Sequence, residues 1–199
     1  YPAPHFLVIH YQAADGSLAN EQRIPLFADG NGLLSLKFVD LDKDGIEDIV
    51  IGPSHGVAAV RLGQPAESQV TRYVTEAGNE DGFRGLHAGD VDGDGRQDVV
   101  VTAAKSSHFY VFPNDGAGGL GPAVAYAHPV GPSQAFPAAV LVVDVDQDGR
   151  NEVVTVDTEE APNSRLNIYR RGVANTLELS RQISVHSSTT SLLWGDIGG

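Results

Sequence analysis

The stretch Asp90-Val91-Asp92-Gly93-Asp94-Gly95-Arg96-Gln97-Asp98, running straight into Val99-Val100-Val101, decides how this chain is read. Carboxylates stand at positions 1, 3, 5 and 9 of the nine-residue loop, and glycine stands at position 6. Carboxylates this dense repel one another unless a cation sits among them. A hard cation such as calcium, which takes about six to eight oxygen ligands, satisfies the arrangement. Glycine at position 6 supplies the positive φ of a sharp turn. Position 7 can then turn its carbonyl inward, so Arg96 is expected to offer backbone oxygen rather than its side chain.

The same pattern recurs at Asp40-Leu41-Asp42-Lys43-Asp44-Gly45-Ile46-Glu47-Asp48, before Ile49-Val50-Ile51, and at Asp144-Val145-Asp146-Gln147-Asp148-Gly149-Arg150-Asn151-Glu152, before Val153-Val154. In the third copy Glu152 keeps the charge of position 9 on a longer arm. Gly195-Asp196-Ile197 has the start of a fourth copy, but Gly198 stands where its second carboxylate belongs. First positions at 40, 90, 144 and 196 give a period of 50, 54 and 52 residues, the mark of a repeat protein. An EF-hand is excluded. Its bidentate Glu at position 12 and its following helix are replaced here by Ile51, Val101 and Thr155 inside apparent strands.

Short β-branched runs flank every loop. Strands are expected over 6–11, 22–27, 33–39, 48–52, 57–62, 70–75, 85–89, 98–103, 108–112, 123–127, 139–143, 152–157, 166–170, 176–185 and 190–194, with no helical periodicity. Pro25 suits the second of these to a sheet edge. Four strands per period of about fifty residues point to an all-β fold, a β-propeller of four-stranded antiparallel blades. One segment, 1–199, would then hold repeats at about 31–80, 81–134 and 135–187, flanked by partial ones over 1–30 and 188–199. Fifteen strands fall one short of a closed four-blade ring, so a segment of a larger propeller is expected.

The three loops resemble the calcium motif of FG-GAP/VCBS repeats, which belong to the integrin-α N-terminal propeller superfamily. Gly52-Pro53 matches a shortened form of that family's Gly-Ala-Pro segment. The resemblance implies about three calcium ions held at positions 1, 3, 5, 7 and 9: Asp40, Asp42, Asp44, Ile46 and Asp48; Asp90, Asp92, Asp94, Arg96 and Asp98; Asp144, Asp146, Asp148, Arg150 and Glu152. It also implies seven blades as the usual closure.

Bulk composition agrees with this local reading. At 41% hydrophobic and 20% charged residues the chain is rich enough in apolar groups to fold. The net charge of −13 is almost matched by the twelve carboxylates at loop ligand positions, so the acidity belongs to the loops. Arg170-Arg171 is too short for a nucleic-acid footprint, and no nucleic-acid partner is expected. No apolar run approaches the roughly 20 residues of a membrane span. Without cysteine there is neither a disulfide framework nor a thiolate metal site. The chain starts at Tyr1 and lacks methionine, so the remainder of a longer polypeptide is expected. Modest-affinity calcium loops fill where calcium is roughly millimolar, which favours an extracellular, cell-surface or periplasmic home.

No catalytic residue is assigned. His87, near Arg84, reads as a half-buried strand histidine, and Trp194 as core. On the rim away from the acidic loops, Ser54, His55, Ser107 and His108 are candidates for binding a protein or glycan. The function expected is a calcium-binding extracellular module for adhesion or recognition, its ions structural. The alternatives are the propeller portion of a secreted polysaccharide lyase and a structural spacer.

Overall fold

The computed structural model describes residues 6–26, 35–52, 56–64, 69–74, 83–103, 107–129, 137–157, 164–185, 191–193 and 195. The fold is all-β, and its sheets are arranged as the blades of a β-propeller. A hairpin of β1 (Phe6–Gln12) and β2 (Leu18–Pro25) comes first. The first blade is β3 (Ser35–Val39), β4 (Asp48–Gly52), β5 (Val57–Val60) and β6 (Val70–Tyr73). The second is β7 (Phe83–Gly89), β8 (Asp98–Ala103), β9 (His108–Phe112) and β10 (Val124–Ala127). The third is β11 (Pro137–Val143), β12 (Glu152–Asp157), β13 (Arg165–Arg171) and β14 (Leu177–Ser184). Within each blade the strands are hydrogen-bonded in chain order, all antiparallel.

The second strand of each blade explains why the blades stack. β4, β8 and β12 are buried at every residue. They read DIVIG, DVVVTA and EVVTVD, short apolar runs bounded by turn signals, as a strand covered on both faces requires. Alternation then assigns the faces. Val99 and Val101 pack toward the first blade with Val39, Val50, Val57 and Ala59. Val100 points the other way, into a cluster with Val140, Val142, Val153 and Tyr169 of the third. Phe109 anchors that second seam, its ring 4.8 Å from Tyr169 and stacked 5.5 Å from Tyr126. Each fully buried Val or Phe contributes about 1.5–3 kcal/mol relative to exposure.

The inner strands β7 and β11 approach so closely that glycine is required where they meet. A Cβ on Gly85 would stand 2.9 Å from the Ala139 Cα and 2.8 Å from the Thr102 hydroxyl. One on Gly89 would collide with the Val142 side chain.

A polar cluster closes the same seam away from the acidic loops. His128, just past β10, is 2% exposed and pairs through Nε2 with the Asp157 carboxylate at the end of β12. Its Nδ1 lies 3.3 Å from the Thr155 hydroxyl and 3.2 Å from the Tyr169 hydroxyl. Asn167 donates to Asp157 at 3.0 Å, and Gln182 donates to Asn167 at 2.7 Å. Burying these groups is tolerated because each has a partner.

Four strand bounds, those of β4, β8, β9 and β12, equal the sequence expectation. The hairpin differs. β2 starts at Leu18 instead of residue 22, because the Asp15 carboxylate caps the turn by accepting from the Ser17 N–H at 2.9 Å and hydroxyl at 2.6 Å. Asn20, at φ 58°, forms a bulge that carries the ladder through the polar start of the strand. β5 stops at Val60 instead of residue 62, since the Leu62 N–H is diverted to the Asp48 carboxylate at 3.1 Å. Of the expected final strand, residues 191–193 carry no strand; no neighbouring strand pairs with them among the described residues. Thr190 and Trp194 lie outside the described residues. The only helical element among them is a 3-10 turn at Val173–Asn175. No helix there is long and apolar enough to cross a membrane.

Two outcomes test this packing. Gly85→Ala is expected to destabilise the fold by about 1–3 kcal/mol, the usual cost of overpacking, measured by equilibrium urea unfolding. Asp157→Ala is expected to cost about 1–3 kcal/mol in the same measurement, because it strands His128 and Asn167 without their acceptor.

Candidate metal centres

The acidic loops join β3 to β4, β7 to β8 and β11 to β12, and they share one backbone design. Position 6 has positive φ in each: Gly45 at 85°, Gly95 at 81° and Gly149 at 86°. Nothing lies within 4 Å of a Cβ built on any of the three, so backbone conformation alone demands the glycine. Position 4 is also left-handed, at Lys43 (59°), Gly93 (76°) and Gln147 (62°), which the sequence pattern does not announce.

The turn brings backbone N–H groups onto the carboxylates. The Gly45, Gly95 and Gly149 N–H groups donate to the position-1 carboxylates of Asp40, Asp90 and Asp144 at 3.0, 2.9 and 2.8 Å. Position 5 accepts from position 7: Asp44 from Ile46 at 2.7 Å, Asp94 from Arg96 at 2.8 Å and Asp148 from Arg150 at 2.9 Å. These bonds orient the carboxylates without using all their lone pairs.

In the first two loops Asp40, Asp42 and Asp44, and Asp90, Asp92 and Asp94, each gather carboxylate oxygens within 4.8 Å of one another. The third loop gathers Asp144, Asp146 and Glu152 instead, the longer arm of Glu152 reaching where Asp48 and Asp98 do not. Such all-oxygen sets suit a hard divalent cation and offer nothing to a soft one.

Position 9 has a second role. Asp98 is fully buried, and its two oxygens accept from Val91 N–H at 2.9 Å, Asp92 N–H at 3.4 Å and Asn114 N–H at 2.8 Å. Asp48 accepts from Leu41 at 3.2 Å and Leu62 at 3.1 Å, and Glu152 from Val145 at 2.8 Å. Position 9 thus ties the start of the loop to the root of the second strand. Burial pushes the Asp98 carboxyl up to about 6 despite the N–H groups that pull it down. Burial likewise raises Asp48 and Glu152.

Basic and amide groups complete the rim. Arg96 turns its guanidinium onto Asp94 of its own loop. Arg170 pairs with Asp146 and lies 3.5 Å from Glu152, so the third loop already has a cation beside it. Gly93 leaves room for the Arg171 guanidinium, which a Cβ there would strike. Asn114 donates to the Leu41 carbonyl at 2.9 Å and the Gln97 carbonyl at 3.2 Å, linking the first two loops. Asn151 donates to the Asp90 carbonyl at 3.0 Å and links the second to the third. These two asparagines escaped the sequence reading; only the Asn114-Asp115-Gly116 turn cluster hinted at one of them. A cleft of about 260 Å³ between the second and third loops is lined by Asp90, Gly93, Arg150, Asn151 and Arg171.

Ser54, His55, Trp194 and Asp196 lie outside the described residues. Ser107 stands just before β9 and His108 begins it, on the rim away from the acidic loops, with Ser107 Oγ 3.4 Å from His108 Nδ1 and the Ser107 carbonyl accepting from His128 N–H at 2.7 Å. His87 is half-buried, and its Nδ1 accepts from the Val142 N–H at 3.2 Å, which ties it to the third blade. Burial, then the charge of Lys37, lower its pKa, so it sits as a neutral ring. Arg84 is exposed.

Residues 90–155, the span from the second loop through the third and into β12, match the FG-GAP-like repeat family. Comparison with curated proteins finds no match. Among solved structures, a chain in the structure of the Photorhabdus luminescens Tc holotoxin pore is similar at a TM-score of 0.45 and 19% identity. That similarity covers 92% of the present chain and 8% of the toxin chain, so the chain spans less than a tenth of its neighbour's length.

The buried position-9 carboxylates carry a pH signature. The folded-state value of Asp98, about 6, lies above the ordinary 3.8. Its stabilising contribution in ion-free protein is therefore full below pH 3.8 and lost as pH rises through about 6. Asp48 and Glu152 shift in the same sense. Melting followed in EGTA is expected to show Tm falling between about pH 4 and 7; a rise across that window would contradict the assignment.

Proposed function

We propose that the chain is a calcium-binding repeat module of the extracellular space, surface or periplasm, acting in adhesion or in recognition of a protein or glycan, with structural ions. The observation that carries this reading is the threefold recurrence of one loop geometry on one rim. In every copy a position-1 carboxylate is held by the position-6 N–H, and three carboxylates converge within 4.8 Å. Bringing three anions together costs Coulomb energy that a divalent cation offsets.

In this reading Asp40, Asp42 and Asp44 hold one ion, Asp90, Asp92 and Asp94 a second, and Asp144, Asp146 and Glu152 a third. The carbonyls of Ile46, Arg96 and Arg150, and Asp148 in the third loop, complete the proposed sets. Asp48 and Asp98 brace the loops through backbone N–H groups. The ion locks the hairpin between the two inner strands of its blade. The face left for recognition is the opposite rim, where His108 begins β9 just after Ser107; Ser54 and His55 join this proposal from the sequence alone. The match over residues 90–155 to a repeat family supports the reading of the chain as a repeat module.

Because an ion that binds only the folded state stabilises it by RT ln(1 + [L]/Kd), a hundredfold excess over Kd gives about 2.7 kcal/mol per site. For a chain of this size that is a rise in Tm of about 5 °C or more for each filled site. Calorimetric titration of chelated protein with calcium is expected to show about three sites. Asp92→Ala is expected to remove one of them and leave the others unchanged. An unchanged melt in excess EGTA would sink the reading.

A further inference from the structure

Position 9 is braced differently in the third blade. In the first, the two Asp48 oxygens accept from the Leu41 N–H in the loop and from the Leu62 N–H just past β5, at 3.2 and 3.1 Å. In the second, Asp98 accepts in the same way from Val91 and from Asn114, just past β9, at 2.9 and 2.8 Å. Glu152 keeps the loop contact, its Oε2 accepting from the Val145 N–H at 2.8 Å. Its Oε1 accepts no backbone N–H among the described residues; the Arg170 Nε stands 3.5 Å from it instead. The same guanidinium pairs through Nη2 with Asp146.

The strand ladders show which residues of the other blades correspond to Arg170. Tyr169 pairs with Val153, Phe112 with Val99 and Val60 with Ile49, each directly after position 9. The residues that follow on the third strand, Arg61, Pro113 and Arg170, are therefore equivalent. Pro113 carries no charge. Arg61 makes no ion pair among the described residues and lies against the second blade, where a Cβ on Gly118 would stand 3.3 Å from its guanidinium carbon. Arg96 reaches one carboxylate of the second loop, Asp94, from position 7. Among the described residues only Arg170 spans two of the three converging carboxylates of a loop, and one of these, Glu152, is buried.

We infer that Arg170 is the resident cation of the third loop: it holds Asp146 and Glu152 when no metal is bound, and a divalent ion binds there in competition with it. The inference rests on the ion reading above and adds that the three loops are not equivalent. A guanidinium held beside two ligands repels an incoming cation, and the oxygens it holds have to be released before they can coordinate. The same pair offsets the repulsion among the carboxylates of the empty loop, and removing it leaves a buried carboxylate without its partner. One side chain therefore raises the stability of the ion-free loop and lowers its affinity for the ion.

Calcium titration of the chelated full chain, followed by NMR at the amides of Gly45, Gly95 and Gly149, reads each loop separately, since each of these N–H groups binds the position-1 carboxylate of its own loop. Arg170→Gln is expected to tighten the Kd read at Gly149 by about tenfold and to leave those at Gly45 and Gly95 within about twofold. Arg170→Lys, which keeps the charge, is expected to stay close to the unsubstituted chain. Arg165→Gln removes a charge at the far end of β13, about 17 Å away, and is expected to change none of the three. Melting supplies the opposite sign: Arg170→Gln is expected to lower Tm by about 2–4 °C in EGTA and not in saturating calcium. Three calcium sites with an unchanged Kd at Gly149 in Arg170→Gln would overturn this inference and spare the ion reading. No saturable shift at any of the three glycines would overturn both.

Discussion

A carboxylate buried at the root of each blade's second strand is the constraint on which the rest depends. Asp48, Asp98 and Glu152 are 2%, 0% and 2% exposed. An acid taken so far from water must be satisfied or protonated. The fold satisfies it with the N–H groups that a tight loop leaves without ladder partners. The loop's conformation and the strand's burial are therefore one problem with one solution. The turn frees the donors, and the acid collects them while its strand enters the core.

From that root the blades follow. A second strand buried on both faces needs a sheet-mate on each edge and a blade on each side. Val99, Val100 and Val101 show the division, alternate residues serving opposite seams. Apolar contact does not finish either seam. Asn114 and Asn151 cross from blade to blade on the acidic rim, and His128 with Asp157 crosses on the other. Apolar packing sets the spacing of the blades, and the amide and imidazole bonds fix their relative height.

The sequence is most legible where structure is local. β4, β8 and β12 could be read to the residue because each runs from an acidic glycine loop into β-branched residues. The loops were equally plain, since their spacing encodes the turn. Contacts between distant parts of the chain left no such trace. Asn114 meets Leu41 across 73 residues, and nothing in either neighbourhood announces it. His128 stands in an ordinary Ala-His-Pro context, yet it finds Asp157, Thr155 and Tyr169 in the next blade. β2 was misplaced for a smaller reason: the Asp15 turn and the Asn20 bulge let polar residues continue a strand that periodicity alone would have started later. Among the candidate site residues, the clustering of the Asp side chains was legible, whereas the bracing role of position 9 appears only once its burial is known.

Repeats of one design invite the thought that they are interchangeable parts, and Gly93 argues otherwise. Position 4 holds Lys43 in the first loop and Gln147 in the third, in the same left-handed conformation. Only the second loop has glycine there, and the vacated space is filled by Arg171 from the following blade. A first or third loop transplanted beside β13 would drive a side chain into that guanidinium. That guanidinium is the far end of a flexible side chain and can swing aside, so an exchanged loop would lose this one contact across the seam without being barred from it.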